Sequence, residues 1–287
     1  NPHINQIQQI NLKSVNKSKS LFLIWKELRK IRKLGKYDLV IDMQGLLKSA
    51  LIAQKIPSDI TLGFDKTSLR ESFSAKFYSQ TYKMDYAANI VERNVALVSH
   101  ALKLSINQED ISNKKPILYP SKKYVFNDIN YEKQNIAIVP GASFQSKCYP
   151  VEKFAELTSK IDANFFVIWG SKAEKVMAND IKTLSPSVQV MPRLSLDSLM
   201  SLISQMNLVI GSDTGPTHMA WALNVPSITL FGPTPGNRNT YITSINKIIE
   251  SDSEVDPNKI NKNDYSIKNI IVGDIVKIAE YLFKVSK

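Results

Sequence analysis

The chain has one cysteine, Cys148, and only three histidines, His3, His100 and His218, which lie far apart in sequence. An internal disulfide is therefore impossible, and no zinc-type ligand spacing is present. No apolar run approaches the roughly 20 residues that a bilayer-spanning helix needs. The start does not read as a signal peptide. There is no G-x-G-x-x-G fingerprint and no Walker phosphate loop. These absences point to a cytoplasmic protein that works without a metal centre and without the usual dinucleotide motif.

What is present is an ordinary globular composition, 43% hydrophobic and 22% charged, over 287 residues. That length exceeds what one core usually holds, so two domains are expected. Charge is lopsided: 37 Lys and Arg against 26 Asp and Glu give a net +11. A basic balance suits a nucleic acid, a phosphorylated substrate or a membrane surface, and equally a solvated lysine-rich exterior. The densest basic stretch is "KSLFLIWKELRKIRKLGK", Lys19 to Lys36, where Leu21, Ile24, Trp25, Leu28 and Ile31 recur at helical spacing. It reads either as a membrane-surface helix or as a helix packed on a sheet with a basic outer face.

Strand and helix patterns alternate along the chain. "YDLVID" is a strand, "GLLKSALIAQKI" a helix, "ITLGF" a strand, and residues 89–104 a strong helical period. Residues 114–132 are polar, contain Pro116 and Pro120, and read as a linker. A second series follows. "NIAIVPG", "NFFVIWG", "VQVMP", "LVIGS" and "PSITLFG" are strands, with a helical segment between each and the next. This is βαβ arithmetic, which implies parallel sheets covered on both faces. The expected domains are 1–133 and 134–272, with a last helix over 273–287 that packs back on the first domain. The opening "NPHINQIQQI" reads as loop and edge, so the first domain is short of strands and its first βα unit is expected to be absent from this sequence.

Open parallel sheets bind ligands outside the carboxyl ends of their strands. Five strand ends carry polar or glycine residues: "DMQG" at Asp42, "PGAS" at Pro140, "WGS" at Trp169, "GSDTG" at Gly211 and "FGPTP" at Phe231. "SDTGPTH" joins a strand to a helix. Asp213 or Thr214 can cap that helix, Gly215 permits close backbone approach, and Pro216 suits its first turn. The same free N–H groups can bind a phosphate, with Thr217 and His218 beside it. A plain cap needs one polar side chain, and here five cluster. Lys147, in the loop after the first strand of this domain, is either a surface lysine or a phosphate-binding point charge. Glu174 opens a helix, where it either serves the dipole or takes ribose hydroxyls.

"SDTGPTHMAWALNVPSITLFGPTPGNRN" and "GASFQSKCYPVEKFAEL" resemble the signature regions of the ADP-heptose:lipopolysaccharide heptosyltransferases, family-nine glycosyltransferases of GT-B fold. "YDLVIDMQGLLKSALIA", "GFDKTSLRESFSAKFY" and "NIVERNVAL" extend the resemblance through the first domain, closest to members that add the first heptose. It implies an α/β fold with two Rossmann-like doubly wound domains facing a central cleft. It also implies an inverting enzyme that transfers L-glycero-D-manno-heptose from ADP-heptose to Kdo of Kdo-lipid A. Transfer of the second or third heptose, or another nucleotide-sugar reaction on this fold, is the alternative. A basic nucleic-acid-binding protein is suggested by charge alone and by no recognised motif.

Residue by residue, Ser143, Lys147, Glu174, Leu194, Asp213, Thr214, Gly215 and His218 match donor-binding positions, with Lys147 also stabilising the leaving ADP. Gln44, Gly45, Lys48, Arg70 and Arg93 lie in segments expected to face the acceptor. No obligatory cofactor or metal is expected, and peripheral contact with the cytoplasmic face of the inner membrane is. The family's general base is an aspartate in an early "GD" loop. No such loop precedes Asn1 in this sequence, so Asp42 is the substitute candidate, against a structural role at its strand end.

Overall fold

A computed structural model describes residues 4–10, 29–31 and 33–285. The basic amphipathic stretch from Lys19 falls largely outside the described residues. The chain divides into two compact units, Asn1–Gln108 and Glu109–Lys287.

The first unit has a parallel sheet in the order β1 (Tyr37–Ile41), β2 (Ser58–Phe64), β3 (Gln80–Tyr82). Helix α1 (Leu47–Lys55) connects β1 to β2, and α2 (Ile90–Leu102) follows β3 with its N-terminus capped by the Asn89 side chain on Val91 N. The core gathers Ala50, Leu62, Phe64, Leu69, Tyr78 and Leu97. Arg93, on α2, is 2% exposed. Its guanidinium lies 4.3 Å from the Phe64 ring and donates to the carbonyls of Met84, Asp85 and Ser68. It ties together the loops that leave β2 and β3.

The second unit carries a six-stranded, all-parallel sheet in the order β6-β5-β4-β7-β8-β9. The strands are β4 (Asn135–Val139), β5 (Asn164–Val167), β6 (Gln189–Val190), β7 (Leu208–Ser212), β8 (Ser227–Phe231) and β9 (Asn246–Glu250). The mainly apolar runs of β4, β5, β7 and β8 are explained by the two cores, because alternate residues face opposite sides. Ile136, Ile138, Phe165, Val167, Leu208 and Ile210 enter one cluster with helices α3 (Val151–Lys160), α4 (Lys172–Leu184) and α7 (Val272–Val285). Ala137, Val139, Phe166 and Val209 enter the other, with α5 (Leu196–Ile203) and α6 (Gly215–Ala222). Last in the chain, α7 buries Val272, Ile275, Ala279 and Leu282 in this unit's own core. Its apolar face is used in this unit's core.

The stretch read as a linker is also part of the second unit. Ile129 is buried in the α5–α6 cluster, and Leu118 and Phe126 pack on it. Ile117 N donates to Ala222 O at 2.8 Å, Tyr124 N to Ser201 Oγ at 2.8 Å, and Lys114 Nζ to Trp221 O at 2.7 Å. Residues 114–129 therefore form a strap across α5 and α6. Burial lowers the Lys114 ammonium to about 8. Among the described residues no helix is long and apolar enough to cross a membrane.

Candidate functional site

The sheet of the second unit reverses direction between β4 and β7: from β4 the order runs outward through β5 and β6, from β7 through β8 and β9. Their carboxyl ends diverge into a crevice at this switch point. Val139-Pro140-Gly141 leaves one side and Ser212-Asp213-Thr214 the other, so two of the sequence-selected strand ends meet here.

Asp213 is the centre of the cluster. Its Oδ2 accepts from Lys147 Nζ at 2.7 Å, Thr234 Oγ1 at 3.1 Å and Asn239 Nδ2 at 3.2 Å, and its Oδ1 meets His218 Nε2 at 2.8 Å. The Lys147 and Asp213 side chains are each 9% exposed, whereas His218 is 37% exposed. Burial alone would push the Asp213 carboxyl up. The hydrogen bond from His218 and the charge and hydrogen bond of Lys147 outweigh it, and hold the group far below the usual carboxylate range. Lys147 is thus neither a loose surface lysine nor a mobile one, because the 3-10 turn Gln145–Lys147 presents it inward.

The depressed value has a testable sign. Asp213 contributes stability that is full above its ordinary value of 3.8 and is lost as pH falls below it. Asp213→Asn should denature at lower temperature than the parent at about pH 7, and the two should converge towards about pH 2. A gap that stays constant on acidification would mean that the carboxylate's charge is not what stabilises the fold.

Helix α6 begins two residues after β7. Its first turn is closed by Thr217, whose hydroxyl donates to Ser212 O and Thr214 O, each at 2.7 Å, and accepts from Thr214 N at 3.3 Å. Gly215 is exposed, and a Cβ built on it meets nothing within 4 Å. Gly141 is the opposite case: a Cβ there would lie 2.3 Å from Glu174 Cγ. Glu174 Oε2 accepts from Gly170 N at 2.6 Å and Ser171 N at 3.0 Å, and Ser171 Oγ accepts from Glu174 N, a capping box at the start of α4. Glu174 thus caps the start of α4, where the sequence suggested a dipole role, and the same side chain lies over Gly141.

Beside this corner is a cavity of about 400 Å³. Its walls include Trp169, Glu174, Leu194, Thr214, Gly215 and Met219. The Trp169 ring is held by a 2.7 Å bond from Nε1 to Met191 O. A largely apolar cavity with the Glu174 carboxylate, the Arg193 side chain and the start of α6 on its walls has the form of a nucleotide site. Ser143 is exposed on the β4–α3 loop.

The structure brings Lys147, Asp213 and His218 into direct contact, and Glu174, Leu194, Thr214 and Gly215 around one cavity. Sequence reasoning missed Trp169, Met219, Thr234 and Asn239. The last two lie after β8 in "FGPTPGNRN", a strand end noticed in the sequence but given no role.

The first-unit residues are spread over different tasks. Asp42 is buried, and its Oδ1 accepts from Gln44 N at 2.9 Å and Gly45 N at 3.2 Å, while its Oδ2 accepts from Ser49 Oγ and Tyr78 OH, each at 2.7 Å. With four donors in place, Asp42 builds the β1–α1 turn, which favours the structural role over the base. Gly45 has φ +66°, and a Cβ there would meet Leu69 Cδ2 at 2.4 Å. Arg93 is interior, as described. Gln44, Lys48 and Arg70 are exposed. Among the described residues no cluster of three His, Cys, Asp or Glu could hold a metal ion.

Comparison with known proteins agrees with this geometry. The family described as glycosyltransferase family 9 (heptosyltransferase) matches residues 24–266. Lipopolysaccharide heptosyltransferase 1 of Campylobacter coli is 35% identical over 297 residues, 98% of this chain and 85% of that protein. The Pseudomonas aeruginosa protein of the same name is 30% identical over 76% of this chain and 61% of its own length. Among solved structures, E. coli heptosyltransferase WaaC with ADP gives a TM-score of 0.73 at 20% identity, over 95% of this chain and 82% of that one. A family 9 glycosyl transferase from Veillonella parvula gives 0.76 at 18% identity, over 99% and 84%. The chain belongs to glycosyltransferase family 9, the heptosyltransferases.

Proposed function

We propose that the protein is an inverting transferase that moves heptose from ADP-heptose to Kdo of Kdo-lipid A, at the membrane surface, in inner-core assembly. The observation that carries this reading is the charged cluster of Lys147, Asp213 and His218 beside the open start of α6, at the switch point of a family 9 fold. The pyrophosphate lies against the amides at 213–215. Glu174 offers its second carboxylate oxygen to the ribose, and Trp169, Leu194 and Met219 take the adenine. Ser143 stands at the mouth of the phosphate subsite.

The acceptor hydroxyl gives up its proton to a general base or to water as its oxygen attacks the anomeric carbon from the face opposite ADP, the bond from that carbon to the β-phosphate oxygen breaks, and negative charge grows on the departing pyrophosphate. An ammonium carries three N–H donors, and Asp213 takes one of those of Lys147. The remaining two can meet the phosphate while the ion pair stays intact, so Asp213 aims the lysine rather than competing for it. This electrostatic device can serve where other transferases use a divalent cation, and no obligatory cofactor enters the proposal. Gln44, Lys48 and Arg70 supply the exposed polar surface of the first unit for the acceptor.

The test is a transfer assay with ADP-heptose and Kdo-lipid A, read by the mass of one heptose added. Turnover of UDP-sugars with none of ADP-heptose would sink the donor assignment. Acceptance of a heptosylated core alone would move the enzyme to a later transfer.

A further inference from the structure

The corner that would take the diphosphate is short of positive charge. Lys147 and Asp213 form a buried pair at 2.7 Å and together bring no net charge. Glu174 adds a carboxylate at the cavity edge. The start of α6 contributes roughly half a positive charge. A sugar diphosphate carries a negative charge on each phosphate, and a departing ADP carries one more. Such charge is costly to bury without a partner. Arg193 lines the cavity assigned to the adenine, and Arg238 is half-buried with Asn239 Oδ1 as one partner at 3.3 Å.

A further cation reaches this corner from a distant part of the chain. The loop over 251–265 leaves the carboxyl end of β9 and docks on the loop that follows β4. Ser146 is 1% exposed, is adjacent to Lys147 and donates its hydroxyl to the Lys262 carbonyl at 2.6 Å. The Lys262 ammonium stands 5.8 Å from the centre of the Phe144 ring, and the Lys147 ammonium 5.5 Å from the same centre. One half-buried ring thus gathers both cations. Asp264, the carboxylate closest to Lys262 in sequence, is engaged within its own loop: it accepts from Ser253 Oγ at 2.5 Å and from Ser266 N at 2.8 Å. Lys262 is exposed, and its ammonium has no hydrogen bond or ion pair among the described residues. Its backbone is fixed while its charge is left unpaired.

We infer that Lys262 is a second cation for the donor's diphosphate. Lys147 stays paired to Asp213 and aims its remaining donors, and Lys262 supplies the positive charge that this pair lacks. Ser146 and Phe144 place the two lysines side by side, although the sequence sets them far apart. The inference rests on the proposed function and adds to it the group that balances bound and departing ADP.

The test is calorimetric titration of the full chain with ADP and with AMP, on the parent, Lys262→Gln and Lys262→Arg. Lys262→Gln should bind ADP about tenfold more weakly than the parent. AMP has one phosphate fewer and should lose less. Lys262→Arg keeps the charge and should stay within about twofold of the parent. Added NaCl should narrow the gap between the parent and the Gln variant. An equal loss with both nucleotides would mean that Lys262 only docks its loop, and it overturns the inference. So does a parent that binds ADP no better than Lys262→Gln. A parent that binds no ADP at all overturns the donor reading and the inference together. If ADP binds as expected and no heptose is transferred, the diphosphate assignment stands and the transferase reading fails.

Discussion

Replacing Lys147 by methionine is expected to slow heptose transfer by about a hundredfold, the usual loss when one preorganised donor to a developing oxyanion is removed. Lys147 is buried and is paired to Asp213 at 2.7 Å, and in the proposed complex its ammonium meets the pyrophosphate on which charge grows. The substitution also leaves Asp213 short of a partner. Removing one member of a buried pair costs about 3–5 kcal/mol when nothing else supports the survivor. Here His218, Thr234 and Asn239 still donate to Asp213, so the loss of stability should be about 1–2 kcal/mol.

The two effects separate in a double variant. Lys147→Met with Asp213→Asn removes both charges at once, so most of the stability should return and none of the rate. Thermal denaturation and single-turnover kinetics on the three variants decide the matter. If turnover recovers together with stability, Lys147 serves the fold and not the leaving group.

Gly215→Ala should have the opposite profile. A glycine in a helix costs roughly 0.5–1 kcal/mol relative to alanine, and at this position the added methyl has no protein atom within 4 Å. The variant should therefore be as stable as the parent or slightly more so. The methyl would occupy the space into which the α6 amides point. A diphosphate seated there would shift outward by about the radius of a methyl group, and a displacement near 1 Å can cost about a hundredfold in rate. Higher melting temperature with much weaker ADP binding, measured by calorimetry, is the expected pair of results. Unchanged ADP affinity would mean that the pyrophosphate does not approach this helix.

The βα alternation of the second unit was legible because strands covered on both faces are apolar at most positions, as in "NIAIV" and "SITLF". Two edge strands, β3 and β9, were not, although β1 and β6 were. "QTY" and "NKIIE" mix polar and apolar residues because an edge strand is partly solvated, and neither has a distinctive period. The strap failed for a related reason: Leu118, Phe126 and Ile129 are spaced irregularly, so their burial has no signature in the sequence.

At the site, residue types announced the polar corner at the start of α6, since five polar groups at one helix start exceed what a cap requires. Their partners were not legible. Thr234 and Asn239 reach Asp213 only because β8 lies next to β7 in the sheet, at 21 and 26 residues' separation. Arg93 and Asp42 mislead in the other direction. A charged residue in a recognisable motif looks catalytic until its partners are found: Arg93 donates to carbonyls of the loops after β2 and β3, and Asp42 accepts from two amides of its turn and from the hydroxyls of Ser49 and Tyr78.

The contact between Gly141 and Glu174 bears on how this pocket can be altered over generations. Because a Cβ at position 141 would lie 2.3 Å from Glu174 Cγ, positions 141 and 174 behave as one locus. Enlarging residue 141 displaces the Glu174 side chain, and shortening residue 174 removes the carboxylate that accepts from Gly170 N and Ser171 N, so either change made first costs the α4 cap. The order matters for space alone: a shortened residue 174 opens room for a side chain at 141, whereas the reverse order meets a clash.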